Sequence, residues 1–308
     1  MGLDTFGQRE RESIFAHVEQ ALGSPVASVL FTAQHLSYVS GVTLADGREV
    51  VVKVRAPNQR LSACCEVQRQ LWASGFPAPE PLVPPTVIGP WALSIETYVG
   101  GGEVRSAQSV SAEDFAVPLA RLIAQAPAPH AVGPLGALPW ISSWSGGKHL
   151  WPKPDDVDAD LNAVEGPRWI EEAAIVARER VRRCTNHGVV GHGDWLSQNL
   201  HWVGNTLHVV HDWDSVVVEP EVVVVGVSAA FYPGDGTPDA TATIEQTEDF
   251  INAYAAARGR PWSSDELQVL WASGLWNRAF DAKKQVVEGR IRTLTEDDAR
   301  ERMRRAGA

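Results

Sequence analysis

The stretch at residues 189–215, VVGHGDWLSQNLHWVGNTLHVVHDWDS, contains the most informative pattern in the chain. Two valines lead into a polar loop that holds Asp194 and, five residues later, Asn199. Residues 200–210 then form two apolar runs around a Gly-Asn pair, which predicts two strands joined by a two-residue turn. Because the second strand ends just before Asp212, the hairpin is expected to return this carboxylate to the loop that contains Asp194.

Phosphoryl transfer requires groups of this kind. One carboxylate must orient a substrate hydroxyl and accept its proton, while other oxygen ligands hold Mg²⁺ against the nucleotide phosphates. Asp194 fits the first role, and Asn199 and Asp212 fit the second. The alternative is that two acidic residues cap loops that happen to lie near each other.

Two short motifs resemble the catalytic and metal-binding motifs of the aminoglycoside phosphotransferase family: H-G-D-x-x-x-x-N at 192–199 and D-W-D at 212–214. The resemblance implies an α+β, bilobal protein-kinase-like fold. In that fold an N-terminal antiparallel sheet carries one long helix, and the larger C-terminal lobe is mainly helical. The resemblance also implies a nucleotide-binding lobe at 1–98 and a catalytic and substrate-binding lobe at 99–308.

The N-terminal part is predicted to fold as a helix, three strands and a second helix. The helix at 10–22 precedes strands at 27–32, 38–44 and 49–54, and the second helix spans 59–74.

The last of these three strands places Lys53 in an apolar run, and Glu66 lies near the middle of the second helix. The resemblance implies that Lys53 binds the α- and β-phosphates and that Glu66 holds it in place. The alternative is a lysine and a glutamate that both lie on the surface.

Other nucleotide contacts are implied by the resemblance alone. A strand at 91–97 is followed by three glycines, so Thr97 to Val99 would form the hinge whose backbone groups meet the base. The alternative is an ordinary loop. The glycine-rich loop of protein kinases is missing, because residues 31–41 contain a single glycine, and Ser37 is the residue there assigned to a phosphate.

Two residues of the central stretch have secondary roles. His192 could compete with Asp194 as the base, but the resemblance favours a scaffold role in which His192 bonds to the loop near Asp212. Asp214 is either a further metal or water ligand or the cap of the next turn.

Helices are predicted at 111–125, 167–184, 243–258, 263–288 and 295–305. The valine-rich segment at 221–232 has strand propensity, but the resemblance implies a buried helix that begins at Pro220. Residues 126–160 are irregular and contain three tryptophans and four aspartates, which either pack a loop onto the core or contact the acceptor. Those residues are Trp140, Trp144, Trp151, Asp155, Asp156, Asp158 and Asp160.

Composition narrows the classes of function. The 308 residues carry a net charge of −11, which argues against a nucleic-acid partner, and no apolar run is long enough to cross a membrane. Three cysteines and a polar N-terminus lead us to expect a cytoplasmic protein.

The sequence therefore predicts a small-molecule kinase that uses Mg²⁺ and either ATP or GTP. The acceptor would be a hydroxyl compound that is cationic or sugar-like, such as an aminoglycoside-like antibiotic, a sugar or an amino sugar. A nucleotide-binding pseudokinase, acting as a regulatory module without turnover, is the alternative.

Overall fold

The protein is described by a computed structural model that covers residues 7–34, 37–136, 138–142, 148–237 and 240–308. The architecture is the predicted mixture of α and β, with an antiparallel sheet in the N-terminal part. The chain divides into two compact units, Met1–Gly101 with Val132–Leu135, and Gly102–Ala131 with Gly136–Ala308. Among the described residues no helix combines the length and hydropathy needed to cross a bilayer.

The first unit contains a five-stranded sheet and two helices. Its elements are α1 Gln8–Leu22, β1 Val26–Gln34, β2 Tyr38–Leu44, β3 Glu49–Arg55, α2 Arg60–Ala73, β4 Pro81–Ile88 and β5 Trp91–Thr97. The strands pair antiparallel in the order β1-β2-β3-β5-β4.

Strand β4 is the element of this unit that the sequence did not predict. It contains Pro81, Pro84 and Pro85, and proline cannot donate a backbone hydrogen bond to a neighbouring strand. The strand forms because it lies at the edge of the sheet, where only β5 needs its donors.

Side chains alternate across β3, the strand that carries Lys53. Val50, Val52 and Val54 face an apolar core that includes side chains of α1. Lys53 therefore lies on the opposite face of the sheet, since successive side chains of a strand point to opposite faces.

The second unit is mainly helical. Its elements are β6 Glu103–Val104, α3 Ala112–Gln125, α4 Pro139–Ser142, α5 Arg168–Arg182, β7 Gly188–His192, β8 Leu200–Val203, β9 Thr206–Val210, β10 Val216–Pro220, α6 Glu221–Phe231, α7 Ile244–Ala257, α8 Ser264–Val287 and α9 Glu296–Arg305. The predicted hairpin is β8 and β9, and β6 extends it into a three-stranded sheet. Strand β10, which was not predicted, pairs antiparallel with β7.

The valine-rich segment is a helix, as the resemblance implied. Pro220 precedes the first turn of α6, and residues 222–230 are all buried. Burial on every side removes the apolar–polar alternation that marks an ordinary strand or surface helix, so packing overrides the strand propensity of valine. Helix α6 crosses α8 closely, because Gly226 and Gly274 lie at the contact. A Cβ on Gly226 would lie 2.2 Å from the carbonyl oxygen of Leu270.

The described parts of the tryptophan-rich stretch make two kinds of contact: Trp140 donates its Nε1 to the carbonyl oxygen of Gly193 at 3.3 Å, and the part around Trp151 packs onto α8. Trp151 is buried, its ring lies 5.5 Å from that of Trp276, and its Nε1 donates to Glu171. Asp156 forms an ion pair with Lys284 of α8. The contacts of Trp151 and Asp156 support the packing interpretation for these two residues, while Trp144 lies outside the described residues.

Candidate active site

Asp194 and Asn199 are joined by hydrogen bonds in the loop between β7 and β8. The Nδ2 of Asn199 donates to the backbone oxygen of Asp194 at 2.9 Å and to its Oδ2 at 2.8 Å. Both partners are acceptors, so the amide nitrogen must face Asp194. The amide oxygen of Asn199 therefore points away from these bonds, as a cation ligand requires.

His192 braces this loop with both ring nitrogens. Its Nε2 lies 3.0 Å from the carbonyl oxygen of His211, and its Nδ1 accepts the backbone N–H of Asp194 at 3.2 Å. An acceptor at Nδ1 requires that Nε2 carries the proton and donates it to His211. The imidazole is buried and its nitrogens are committed to the backbone, which supports the scaffold role rather than a catalytic one.

Asp212 follows β9 in an unusual backbone conformation. Its φ of 59° and ψ of 49° make it the one non-glycine residue with positive φ in the described part of the chain. This left-handed conformation is uncommon for residues other than glycine, although aspartate adopts it more readily than most, and such residues cluster at functional sites. Ser215 donates to Oδ2 of Asp212 at 2.7 Å, and Asp214 lies in the short turn that follows.

The carboxylate of Asp212 lies close enough to Asp194 to shift the pKa of Asp194. Burial, then the negative charge of Asp212, raises the pKa of Asp194 to about 7, against the lowering effect of the Asn199 bond. Asp281 and Asp155 add smaller contributions in the same direction. A bound cation would relieve this repulsion. The carboxylate of Asp212 and the amide oxygen of Asn199 are oxygen donors of the kind Mg²⁺ prefers, so these residues fit the metal.

Lys53 forms its ion pair with Glu96, not with Glu66. Its Nζ lies 2.9 Å from Oε1 of Glu96, and both side chains are largely buried. Gln68 of α2 donates to the other oxygen of Glu96 at 2.9 Å. Glu66 instead binds Arg69 and Gln70 of its own helix, so the predicted Lys53–Glu66 pair is wrong.

The physical reason is the direction in which each side chain points. Ser94 of β5 stands opposite Lys53 in the sheet, so Glu96, two residues further along, lies on the same face. On α2 the buried stripe runs through Cys64, Gln68 and Leu71, and Glu66 lies outside it. A polar Gln68 on that stripe, and a glutamate in the apolar strand β5, were the signals that sequence reasoning missed.

The hinge residues are held within their own sheet. Thr97 donates its N–H to Glu80 and its hydroxyl oxygen accepts the N–H of Glu80. The N–H of Tyr98 is committed to Glu49. The structure describes Ser37 as half-buried just before β2. The assignment of Thr97, Val99 and Ser37 to the nucleotide stays a prediction.

A model of the APH phosphotransferase enzyme family matches residues 33–267. The chain belongs to this family. The matched range includes Lys53, Asp194, Asn199 and Asp212. A comparison with curated proteins found no match to this APH-family chain.

Solved structures of small-molecule kinases share the fold of this APH-family protein. Amicoumacin kinase hAmiN, in complex with AMP-PNP, Ca²⁺ and Ami, is 12% identical with a TM-score of 0.64, over 98% of this chain and 95% of that one. Spectinomycin phosphotransferase, in complex with ADP and spectinomycin, is 11% identical with a TM-score of 0.59, over 96% and 93%. A choline/ethanolamine kinase family protein from Mesorhizobium loti is 14% identical with a TM-score of 0.55, over 97% and 93%. At these identities the likeness concerns the fold alone.

The ion pair between Lys53 and Glu96 of this APH-family protein leads to a testable prediction. Glu96→Gln removes the charge that faces Lys53, and a hydrogen bond between charged groups contributes about 2 kcal/mol. We expect a lower thermal stability and, if Lys53 binds phosphate, a nucleotide Kd raised roughly tenfold. Glu66→Gln is the matched control and should change neither, because its ion pair with Arg69 is exposed. Equal effects of the two substitutions on the nucleotide Kd, measured by calorimetric titration, would contradict the assignment of Glu96 as the partner of Lys53.

The raised pKa of Asp194 predicts how the stability of the metal-free protein depends on pH. A carboxyl group with a higher pKa in the folded state binds its proton more tightly there, so its stabilising contribution is present at acid pH and lost as pH rises through about 7. Without divalent cations, the wild type should lose a few degrees of Tm relative to Asp194→Asn between pH 5 and pH 8. A difference in Tm between the two proteins that stays constant from pH 5 to pH 8 would contradict the prediction.

Proposed function

We propose that this APH-family protein transfers the γ-phosphate of ATP or GTP to a hydroxyl group of a small molecule, in a Mg²⁺-dependent reaction. The observation that carries the proposal is the bonded pair of Asp194 and Asn199 beside the strained Asp212. These three residues supply one proton acceptor and two oxygen ligands, which is what the reaction needs from the protein.

In the proposed reaction, Asp194 binds the acceptor hydroxyl, orients its oxygen towards the γ-phosphorus and accepts its proton. Bound Mg²⁺ would lower the pKa of Asp194 below its metal-free value of about 7, so its carboxylate would be deprotonated and able to accept the proton at neutral pH. Asn199 and Asp212 would hold Mg²⁺, which when bound neutralises charge on the phosphate oxygens. Lys53, held by Glu96, would contact the α- and β-phosphates.

An acceptor with amino groups is favoured by the charge around Asp194. Asp155 and Asp281 both lie near enough to raise its pKa, in addition to Asp212. Lys284 forms an ion pair with Asp281 at 2.9 Å, so the negative charge of the site is carried by Asp155, Asp194 and Asp212. This charge would attract a cationic acceptor and disfavour an anionic one. An aminoglycoside-like antibiotic or an amino sugar fits this charge better than a neutral sugar does.

The test is an acceptor screen with ATP and with GTP, each with and without Mg²⁺, monitored by nucleotide consumption. We expect turnover with at least one amine-bearing hydroxyl compound, and mass spectrometry should find the product heavier by one phosphoryl group. A parallel thermal-shift titration with each Mg²⁺–nucleotide distinguishes the alternative. A shift without turnover across the panel would favour a regulatory nucleotide-binding module and contradict the proposal.

A further inference from the structure

The short 3₁₀ turn Ser197–Asn199 is held in place by three hydrogen bonds that leave the active-site loop. The hydroxyl of Ser197 donates to the carbonyl oxygen of Arg105 at 2.6 Å, and its N–H donates to Tyr232 at 3.0 Å. The N–H of Gln198 donates to Gly234 at 2.8 Å. Ser197 itself has no exposed surface, and Arg105 is half-buried.

Arg105, the residue that accepts the Ser197 hydroxyl bond, is firmly anchored. Its guanidinium forms an ion pair with Asp114 of α3 and donates to the carbonyl oxygen of Gly204 in the β8–β9 turn at 3.1 Å. The same guanidinium lies 4.1 Å from the centre of the Trp202 ring. The carbonyl oxygen that Ser197 binds therefore belongs to a segment fixed by α3 and by the hairpin.

We infer that Ser197 is a positioning residue for the metal site, an inference that rests on the proposed function. Asn199 is two residues from Ser197, in the same 3₁₀ turn. The direction of the Asn199 amide oxygen depends on the position in which that turn holds the backbone of Asn199. The hydrogen bond from Ser197 to Arg105 thus fixes the turn of a proposed Mg²⁺ ligand to α3 and the hairpin, and Ser197 itself is not a ligand.

The experiment measures metal binding rather than turnover. ADP is titrated calorimetrically into the protein at a series of free Mg²⁺ concentrations, which gives the Mg²⁺ concentration at half-maximal effect. Ser197→Ala should raise that concentration about tenfold, as loss of a residue that orients a metal ligand typically does. At saturating Mg²⁺ its ADP affinity should equal that of the wild type, because the nucleotide contacts are unchanged.

Ser228→Ala is the matched control. Ser228 is also a buried serine, and its hydroxyl donates to a backbone carbonyl oxygen, that of Val224, at 2.8 Å within α6. This variant should keep the wild-type Mg²⁺ dependence. Equal Mg²⁺ dependence in wild type and Ser197→Ala, or equal shifts in both variants, would overturn the positioning role. If the wild type binds ADP with an affinity that does not depend on the Mg²⁺ concentration, the proposed function is overturned, and the inference with it.

Discussion

Replacing Asp194 with asparagine is expected to lower kcat by about 10³-fold, within the range that a general base contributes. Asparagine has the shape of aspartate, and its side-chain oxygen can still accept the bond from Asn199. The substitution therefore leaves the loop in place and removes the group that takes the proton. The measurement is steady-state turnover with the acceptor found in the screen, together with the nucleotide Kd from calorimetry.

The substitution should affect kcat and the nucleotide Kd differently, because Asp194 is assigned to the acceptor hydroxyl and not to the nucleotide. The Kd of the Mg²⁺–nucleotide complex should change little, while kcat falls. Asp297→Asn provides a control at an exposed aspartate of α9, one whose ion pair with Arg300 lies on the surface. If Asp194→Asn retains kcat to within about tenfold, Asp194 is not the base.

Gly226→Ala is expected to lower the free energy of unfolding by about 3 kcal/mol, as overpacking of a rigid core does. In an exposed helix the same substitution stabilises by about 1 kcal/mol, so the sign alone reports on the packing. The added methyl group would meet the backbone oxygen of Leu270 at 2.2 Å, and backbone cannot rotate away as a flexible side chain can. Helices α6 and α8 would have to separate.

Urea denaturation of wild type and variant measures this change. Gly133→Ala is the control, since a Cβ there would lie 3.5 Å from the Cβ of Ala63, an ordinary van der Waals contact. We expect that variant to unfold close to the wild-type midpoint. A Gly226→Ala protein as stable as the wild type would mean that the α6–α8 crossing is looser than the structure describes.

The active-site loop and its hairpin were predictable from the sequence because their geometry is determined locally. Leu200 to Val210 contains a two-residue turn with glycine at positive φ, which pairs Val203 with Thr206 and Trp202 with Leu207. A register shift at His208 then pairs His201 with Val209, a detail that the turn does not predict. Asp212 is two residues beyond the end of the second strand. Its return to Asp194 therefore follows from a short segment of chain and needs no knowledge of the rest of the protein.

The partner of Lys53 was not predictable in the same way. Glu96 and Glu66 are both acidic residues in elements near Lys53, and spacing along the chain favours neither of them. The choice depends on the rotation of α2 about its axis and on the pairing of β3 with β5, two elements separated by 35 residues of chain between Arg55 and Trp91. Packing of Leu61, Val67 and Leu71 sets that rotation, and it directs Glu66 away from the sheet.

The prolines of β4 also limit how the sheet can grow. A strand added at that border would need a ladder of N–H donors, and Pro81, Pro84 and Pro85 interrupt it. Self-association by strand addition at this edge is therefore disfavoured. An engineered peptide meant to extend the sheet should be aimed at β1, which carries neither proline nor charge between Val26 and Gln34.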